Sequence, residues 1–260
     1  MLNRELYKNY VERYRLFWKW CLAHGYDLRA SAWEVCKLRG YPLEGEMFQT
    51  LVDAEVLQLK DYAYDEVEEQ VRSKTLEGLG LFSKEDKFLL RGRYIIPIRD
   101  MLGNVVALVG WYPDEKRYIT TPSDMFSKSG MFFGMEQLVD TGLNKDYVLV
   151  EGIFDSLSVR SLGYNCVAMM GSLRSAEKQV LYGLFGKIVA VPDNDKTGRG
   201  VVERDRWKLP VGSSYMNWVD EGESKIKDID DLIKYDRDTA KDMLEDALSD
   251  GSRVVTFRLS

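Results

Sequence analysis

Histidine and cysteine, the usual ligands of structural zinc, are scarce in this sequence. His24 is the only histidine, and Cys21, Cys36 and Cys166 stand apart, so that no C-x-x-C pair exists. A structural zinc site takes four such ligands at short, characteristic spacings. We therefore expect no zinc in this protein. Because His24 precedes Gly25, it is interpreted as the end of a helix rather than as an acid–base catalyst.

Long apolar runs are also missing. The sequence has no stretch of about 18 consecutive apolar residues, no signal-peptide pattern and no long low-complexity segment. Its three unpaired cysteines are typical of a protein that stays in a reducing cytosol. These features favour a cytoplasmic protein with no membrane partner.

Positive charge is not in excess. The 260 residues include 36 Lys and Arg against 42 Asp and Glu, which gives a formal net charge of −6. This argues against a protein that coats nucleic acid with a generally basic surface. It is compatible with a local basic groove beside an acidic centre that binds metal.

The most informative stretch that is present is an apolar run, Val189–Val191, that ends in two aspartates. Asp193 and Asp195 are two residues apart, so in an extended chain they project to the same side. Their charges repel each other unless a cation lies between them, and carboxylate oxygens suit Mg²⁺. A surface turn rich in Asp, Asn and Gly is the alternative interpretation of the same residues.

The patterning predicts four segments. Residues 1–78 place apolar and aromatic residues at helical spacing, residues 79–145 contain two apolar runs around a Gly-Asn turn, and residues 146–235 alternate strands with helices. Residues 236–260 predict a last helix and a short strand. We therefore expect an α/β domain with a parallel sheet and flanking helices, preceded by an α+β subdomain and a helical N-terminal region. Most N-terminal aromatic residues are expected in the core, with base stacking as the alternative.

Acidic residues follow the predicted parallel strands. Glu151 comes directly after one strand, Asp193 and Asp195 come after another, and Asp228 and Asp230 stand at the head of a later helix. Ligands of such sheets bind beyond the carboxyl ends of the strands, where these side chains are expected to meet. Asp230 also has a purely structural interpretation, because the helix dipole stabilises an acidic residue near the N-terminus of a helix.

Cations concentrate on strand ends and turns of residues 79–145. Two interpretations stay open: a solvated edge that cations protect, or a groove that tracks the phosphates of a nucleic acid with aromatic neighbours. The predicted binding residues are Arg91, Arg93, Arg99, Arg117, Tyr118 and Lys128.

Taken together, these motifs resemble the Toprim domain of bacterial-type, DnaG-like DNA primases. The Glu-Gly-x-x-Asp run at 151–155, the Asp-x-Asp at 193–195 and Lys-Asp-Ile-Asp-Asp-Leu-Ile at 227–233 follow the order of that family. Upstream, residues 91–104 are similar to the strand pair that opens the primase core, and residues 117–130 to its Lys-Tyr and Phe-x-Lys-Gly segments. The resemblance covers roughly residues 79–235.

The resemblance implies a nucleotidyltransferase, a DNA-dependent RNA polymerase that makes short RNA primers on single-stranded DNA. It implies catalysis by Glu151, Asp193 and Asp195, with Mg²⁺ or Mn²⁺ as cofactor. Glu151 is either a metal ligand or a proton acceptor. The implied set of metal-binding carboxylates is Glu151, Asp155, Asp193, Asp195, Asp228 and Asp230.

Implied partners are a single-stranded DNA template, NTPs, and a replicative helicase or a separate template-recognition module. The family's zinc module and helicase-interacting region have no counterpart in these residues, and Val109-Gly110-Trp111 stands where the family has Gly-Gly-Arg. We expect a catalytic core only, of a bacteriophage or mobile-element type that works in the host cytoplasm.

Two rival functions use a similar acidic cluster. One is a Toprim-type metal-dependent nuclease, and the other is a non-catalytic DNA-binding recombination mediator. No Walker-type phosphate loop is present, which disfavours an ATP-driven nuclease or helicase. The primase-like segment upstream of the Toprim motifs argues against both rivals, because neither needs it.

Overall fold

The computed structural model of the chain forms two compact units, Met1–Ser127 and Lys128–Ser260. The structure describes residues 4–70, 76, 78–85, 87–113, 117–121, 130–170, 181–195, 209, 212–220, 226–249 and 254–259. No helix in these ranges is long and apolar enough to cross a membrane. The four-segment division of the sequence stays a prediction.

The first unit begins with four helices, and local capping fixes the bounds of the second. Asp27 accepts hydrogen bonds from the backbone N–H groups of Arg29 and Ala30 at 2.9 and 3.3 Å, and Gly40 ends the helix in a left-handed conformation with φ of 73°. The helices are α1 Arg4–His24, α2 Leu28–Arg39, α3 Glu46–Asp53 and α4 Asp61–Gln70.

Four antiparallel strands of this unit form a sheet in chain order. The turn between the second and third strands is held by Asp100, whose Oδ1 accepts the backbone N–H groups of Leu102 and Asn104, both at 2.9 Å. Gly103 supplies the positive φ of 79° that this turn requires. The strands are β1 Leu57–Gln58, β2 Tyr94–Arg99, β3 Val105–Tyr112 and β4 Arg117–Thr120.

Aromatic residues of α1 pack against this sheet. The hydroxyl of Tyr10 donates to the carbonyl of Val106 at 2.7 Å. Tyr14, which is fully buried, donates to the carbonyl of Leu79 at 2.5 Å and lies 2.9 Å from Thr121 Oγ1. The structure therefore uses these aromatic residues as core, as their helical spacing predicts.

The second unit is an α/β domain, and the predicted fold class is confirmed. Its five strands are all parallel in the order β6-β5-β7-β8-β9. The elements are α5 Gln137–Thr141, β5 Tyr147–Val150, α6 Ile153–Ser161, β6 Cys166–Ala168, β7 Ile188–Val191, β8 Ser214–Asp220, α7 Ile229–Tyr235, α8 Arg237–Ser249 and β9 Val254–Leu259. The helices predicted over residues 175–182 and 198–206 fall largely outside the described residues.

The central strands of this sheet are apolar along their whole length. Every residue of β5 and of β7 is buried, as expected for parallel strands covered on both faces. The acidic side chains of Glu151, Asp193 and Asp195 therefore lie in the loops that follow these two strands. This arrangement places the acidic residues at the carboxyl edge of the sheet.

Replacing Tyr14 by phenylalanine tests the packing of α1. The change leaves the Leu79 carbonyl and the Thr121 hydroxyl in a buried environment without the tyrosine hydroxyl. We expect a loss of roughly 1–3 kcal/mol in the free energy of unfolding, measured by chemical denaturation. Tyr62→Phe, at a half-exposed position, is the control and should change little. Equal stability of both variants and the parent would contradict the assigned role of Tyr14.

Candidate metal centre

Glu151 and Asp193 meet because their strands are neighbours in register. β5 pairs with β7 so that Val150 lies opposite Val191, and each strand is followed at once by its acidic segment. The backbone N–H of Asp193 donates to Glu151 Oε1 at 3.2 Å. The sheet itself thus brings together Glu151 and Asp193, two of the three residues predicted to be catalytic.

The loop that carries Asp193 and Asp195 is fastened by the asparagine between them. The backbone N–H of Asn194 donates to the carbonyl of Lys227 at 2.7 Å, and its side-chain amide donates to the carbonyl of Ile226 at 3.1 Å. Residues 226–227 lead directly into α7. Asn194 therefore joins the Asp-x-Asp loop to the segment that carries Asp228. Asp195 itself is exposed.

Asp228 is the N-cap of α7. Its Oδ1 accepts the backbone N–H of Asp231 at 2.7 Å, which satisfies one of the donors that a helix start leaves open. One carboxylate oxygen is thus engaged in capping. The position of Asp228 is fixed by this cap on one side and by the contacts of Asn194 with the preceding residues on the other.

Asp155 lies in the first turn of α6 and is almost fully buried. Its Oδ2 accepts the backbone N–H of Gly152, the N-cap of that helix, at 3.0 Å. A Cβ atom at position 152 would collide with Asp155 Oδ2, so glycine is needed there for the close approach. This explains why Gly152 follows Glu151 in the Glu-Gly-x-x-Asp run.

Asp230 is held by two partners from different helices. Its Oδ1 accepts a short hydrogen bond from the hydroxyl of Ser158 on α6, and its Oδ2 lies 2.8 Å from Lys234 Nζ. The residue is 1% exposed. Asp230 thus pins α7 to α6. The structure does not test its predicted role as a metal ligand.

Burial and mutual repulsion raise the pKa values of the clustered carboxyl groups. Burial, followed by the charges of Glu151, Asp228 and Asp195, raises the pKa of Asp193 to about 7. Burial is also the first cause of the raised pKa of Glu151, to which the charge of Asp195 adds. The pKa of Asp155 is raised by burial and then by the charges of Asp228, Asp230 and Asp193.

This donor set fits a hard divalent cation. Carboxylates that raise one another's pKa are stabilised in their charged form by a bound cation, and Mg²⁺ and Mn²⁺ prefer oxygen ligands. Within the described part of the chain, ligand atoms of Asp228, Asp230 and Asp231 lie within 4.8 Å of one another. Asp231 was not among the predicted site residues, although its place in the Lys-Asp-Ile-Asp-Asp run is a signal for it.

The predicted nucleic-acid-binding cations have different surroundings. Arg91 pairs with Asp65 and Glu68 of α4 at 3.1 and 3.2 Å, with its side chain about half exposed. Arg93 lies over the ring of Tyr112 at 5.5 Å.

Arg99 forms an ion pair with Glu55 and donates to the carbonyl of Gly103 at 3.0 Å. Arg117 begins β4 and is followed by the exposed Tyr118, whereas Lys128 lies outside the described residues. The structure thus gives Arg91 and Arg99 acidic partners within their own unit. Binding of nucleic acid by these cations stays a prediction.

The raised pKa of Asp193 predicts a pH-dependent stability without metal. The ordinary pKa of Asp193 is 3.8, and its pKa in the folded protein is about 7. At pH values between these two, Asp193 is protonated in the folded protein and ionised in the unfolded chain. The free energy of unfolding should therefore fall as the pH rises through this range. Asp193→Asn removes the effect, and we expect it to be about 1–2 kcal/mol more stable than the parent at pH 8 in EDTA, after allowance for partial exposure.

Thermal and chemical denaturation at pH 5 and pH 8 measure this difference. Asp242 is exposed, and the variant Asp242→Asn is the matched control because it also removes one negative charge from the second unit. A parent chain that is as stable as Asp193→Asn at pH 8, or a gain of the same size in Asp242→Asn, would contradict the assigned repulsion.

A family model described as Toprim-like matches residues 148–233, which contain all of these carboxylates. Curated relatives are DNA primases. That of Deinococcus radiodurans is 33% identical over 120 residues, which is 44% of this chain and 21% of the relative. That of Mycoplasma pneumoniae is 29% identical over 168 residues, which is 60% of this chain and 27% of the relative. The chain thus spans only about a fifth to a quarter of the length of these relatives.

Solved structures extend the likeness to almost the whole fold. The DnaG primase catalytic domain bound to single-stranded DNA matches with a TM-score of 0.73 at 19% identity, over 94% of this chain and 80% of that one. The zinc-binding and RNA polymerase domains of the Aquifex aeolicus primase match with a TM-score of 0.66 at 24% identity, over 95% and 63%. The chain therefore carries a Toprim-like domain at residues 148–233, and its fold is similar to that of the DnaG primase catalytic core.

Proposed function

We propose that this chain is a DNA primase core that makes short RNA primers on single-stranded DNA. The observation that carries the proposal is the cluster of Glu151, Asp193 and Asp228 at the carboxyl edge of a parallel sheet. The carboxylates are brought together by strand register, by the Asn194 contacts and by the cap of α7. They occur within the fold of a primase catalytic core.

Asp193, Asp195 and Asp228 are the proposed ligands of Mg²⁺ or Mn²⁺, with Glu151, Asp155 and Asp230 beside them. When bound, such ions lower the barrier for attack of a 3′-hydroxyl on the α-phosphate of an NTP and stabilise the pyrophosphate that leaves. The chain's own contribution is to hold the carboxylates in place before the ions and the nucleotide arrive. No role is proposed for zinc.

Glu151 is the proposed proton acceptor. Its Oε1 already accepts the Asp193 N–H, which orients the carboxylate. Burial raises its pKa, and a raised pKa makes a carboxylate a better base near neutral pH. In the proposed reaction it takes the proton of the attacking 3′-hydroxyl.

The proposed partners are a single-stranded DNA template and NTPs. The relative that matches with the highest TM-score given above is a primase domain bound to single-stranded DNA, which supports the template. We also propose that a replicative helicase or a separate template-recognition module works with this core, and that it acts in the cytoplasm. The comparisons do not test the predicted phage or mobile-element origin.

A nuclease and a recombination mediator are the rival functions. Both would use the second unit, but neither accounts for the four helices and the antiparallel sheet of the first unit. The likeness to primase catalytic cores extends over more than nine-tenths of the chain and so includes both units. This favours primer synthesis over either rival.

One assay separates the three functions. Purified protein is incubated with single-stranded DNA, labelled NTPs and Mg²⁺ or Mn²⁺, and the products are resolved by size. We expect short new RNA, whereas shortened DNA would indicate a nuclease and an unchanged mixture a binding protein. Asp193→Ala or Asp195→Ala should reduce synthesis by roughly 100-fold or more while the protein stays folded, because several kcal/mol of charge stabilisation are lost. Near-normal synthesis by either variant would contradict the assignment of these residues to the metal site. Asp242→Ala is the control and should synthesise RNA as the parent does.

Salt titrations of DNA affinity test the predicted cations. If Arg117 and Lys128 contact phosphates, each alanine variant should reduce the slope of log affinity against log salt by about 0.7. Arg99→Ala should change the slope less, because Arg99 is paired with Glu55. Slopes that equal the parent's for Arg117→Ala and Lys128→Ala would assign these residues to a solvated edge.

A further inference from the structure

A cavity of about 530 Å³ lies within the first unit, and none of its lining residues belongs to the proposed metal centre. It is formed by the segment before α2, by one face of α2, and by the neighbouring strands β1 and β2. A volume of this size is within the range of clefts that bind small ligands. Its principal lining residues are Tyr26, Ser31, Trp33, Glu34, Gln58 and Tyr94.

Three aromatic rings form the apolar part of the cavity. Tyr94 is buried, but Tyr26 is 46% and Trp33 is 40% exposed. Trp33 thus departs from the core role that the helical spacing of the N-terminal aromatics predicts. Tyr94 packs against Trp111 with ring centroids 5.7 Å apart, and this contact holds the Tyr94 ring in place. The cavity therefore presents rigid aromatic area that the fold leaves open.

Polar groups in the same cavity have hydrogen-bonding capacity to spare. Within the described part of the chain, no group donates to the half-buried carboxylate of Glu34, and none pairs with it. The hydroxyl of Ser31 accepts the backbone N–H of Gln58 at 3.2 Å, but its proton has no acceptor there. The side-chain amide of Gln58 likewise has no partner among the described residues. Glu34 and Gln58 are only partly buried, so their polar atoms are accessible to a ligand with a polar edge.

A cation stands at the rim. Lys37 Nζ lies 5.3 Å from the centre of the Trp33 ring, and it is exposed. This cation disfavours a positively charged ligand at Trp33. It suits a ligand whose ring enters the cavity while an attached phosphate stays outside.

We propose that this cavity binds a nucleobase, with Trp33 and Tyr26 as stacking surfaces and Glu34 as the group that reads the base edge. A carboxylate accepts two parallel hydrogen bonds from the N1–H and N2–H groups of guanine. Adenine and cytosine offer one amino group beside a ring acceptor, which faces a carboxylate less well. The cavity should therefore prefer guanine. The base can come from a free nucleotide or from a single strand.

The test is a calorimetric titration of the whole chain with GMP, IMP and AMP in EDTA, where the metal-dependent centre does not contribute. IMP lacks only the N2 amino group, so the ratio of GMP to IMP affinity measures the second hydrogen bond to Glu34. We expect the parent to favour GMP roughly tenfold, since hydrogen bonds to charged groups are worth more than neutral ones. Glu34→Gln should remove most of this preference, and the variant Asp242→Ala, at an exposed position of the second unit, should leave it unchanged.

Stacking is tested with Trp33→Ala, which should weaken binding of every nucleotide by roughly 5- to 100-fold. Trp33→Phe keeps an aromatic ring and should bind within a few-fold of the parent, which separates stacking from a folding defect. Tyr62→Ala, another half-exposed aromatic outside the cavity, is the matched control and should change nothing. Parallel titrations with oligothymidylate containing one dG distinguish a strand from a free nucleotide as the source of the base.

The outcomes are decisive in both directions. Saturable binding of GMP or of the dG strand that depends on Trp33 and Glu34 supports the proposal, whether or not primer synthesis is observed. Absence of saturable nucleotide binding in the millimolar range would overturn it. So would equal affinity of the parent for GMP and IMP, or tighter binding of a lysine- or arginine-containing peptide, which would make the cavity a protein-docking site.

Discussion

Repulsion among buried carboxylates is the constraint on which the second unit depends. Burial, and then the charges of neighbouring carboxylates, raise the pKa values of Glu151, Asp155, Asp193 and Asp228, and few compensating charges are present among the described residues. Lys234 lowers the pKa of Asp228, but its main contact is with Asp230. A cluster of this kind costs free energy without a cation, so it has to be held by contacts from outside the cluster.

Those contacts are mostly neutral hydrogen bonds. Gly152, Asn194 and Ser158 each bond a carboxylate or a segment that carries one, and none of them adds charge to the site. Neutral partners position the carboxylates without neutralising them. The negative charge is thereby kept for a divalent cation. The buried strands β5 and β7 also help to position the carboxylates, because the acidic loops follow directly after them.

The sequence predicts well which strand ends carry the acidic residues of this site. It predicts poorly the contacts between distant residues that hold them in place. Apolar runs followed by Glu151 and by Asp193 predict adjacent strand ends, because residues after parallel strands collect at one edge of the sheet. The bond between Ser158 and Asp230 joins residues 72 apart, and neither has a local signal for it. Arg99 shows the same limit, since its partner Glu55 lies 44 residues earlier and has a positive φ of 54° that no pattern predicts.

The aromatic residues of the first unit show why periodicity alone cannot assign roles. Trp18 and Trp33 both occur at helical spacing, but Trp18 is 4% and Trp33 is 40% exposed. The difference is set by what covers each helix face, and this depends on chain segments distant in sequence. Trp18 also donates to Glu55 at 2.6 Å, so its polar edge is satisfied inside the fold. Trp33 remains partly exposed, with Lys37 over its ring and the side chains of Glu34 and Gln58 in the same cavity. These are features of a binding surface rather than of a core.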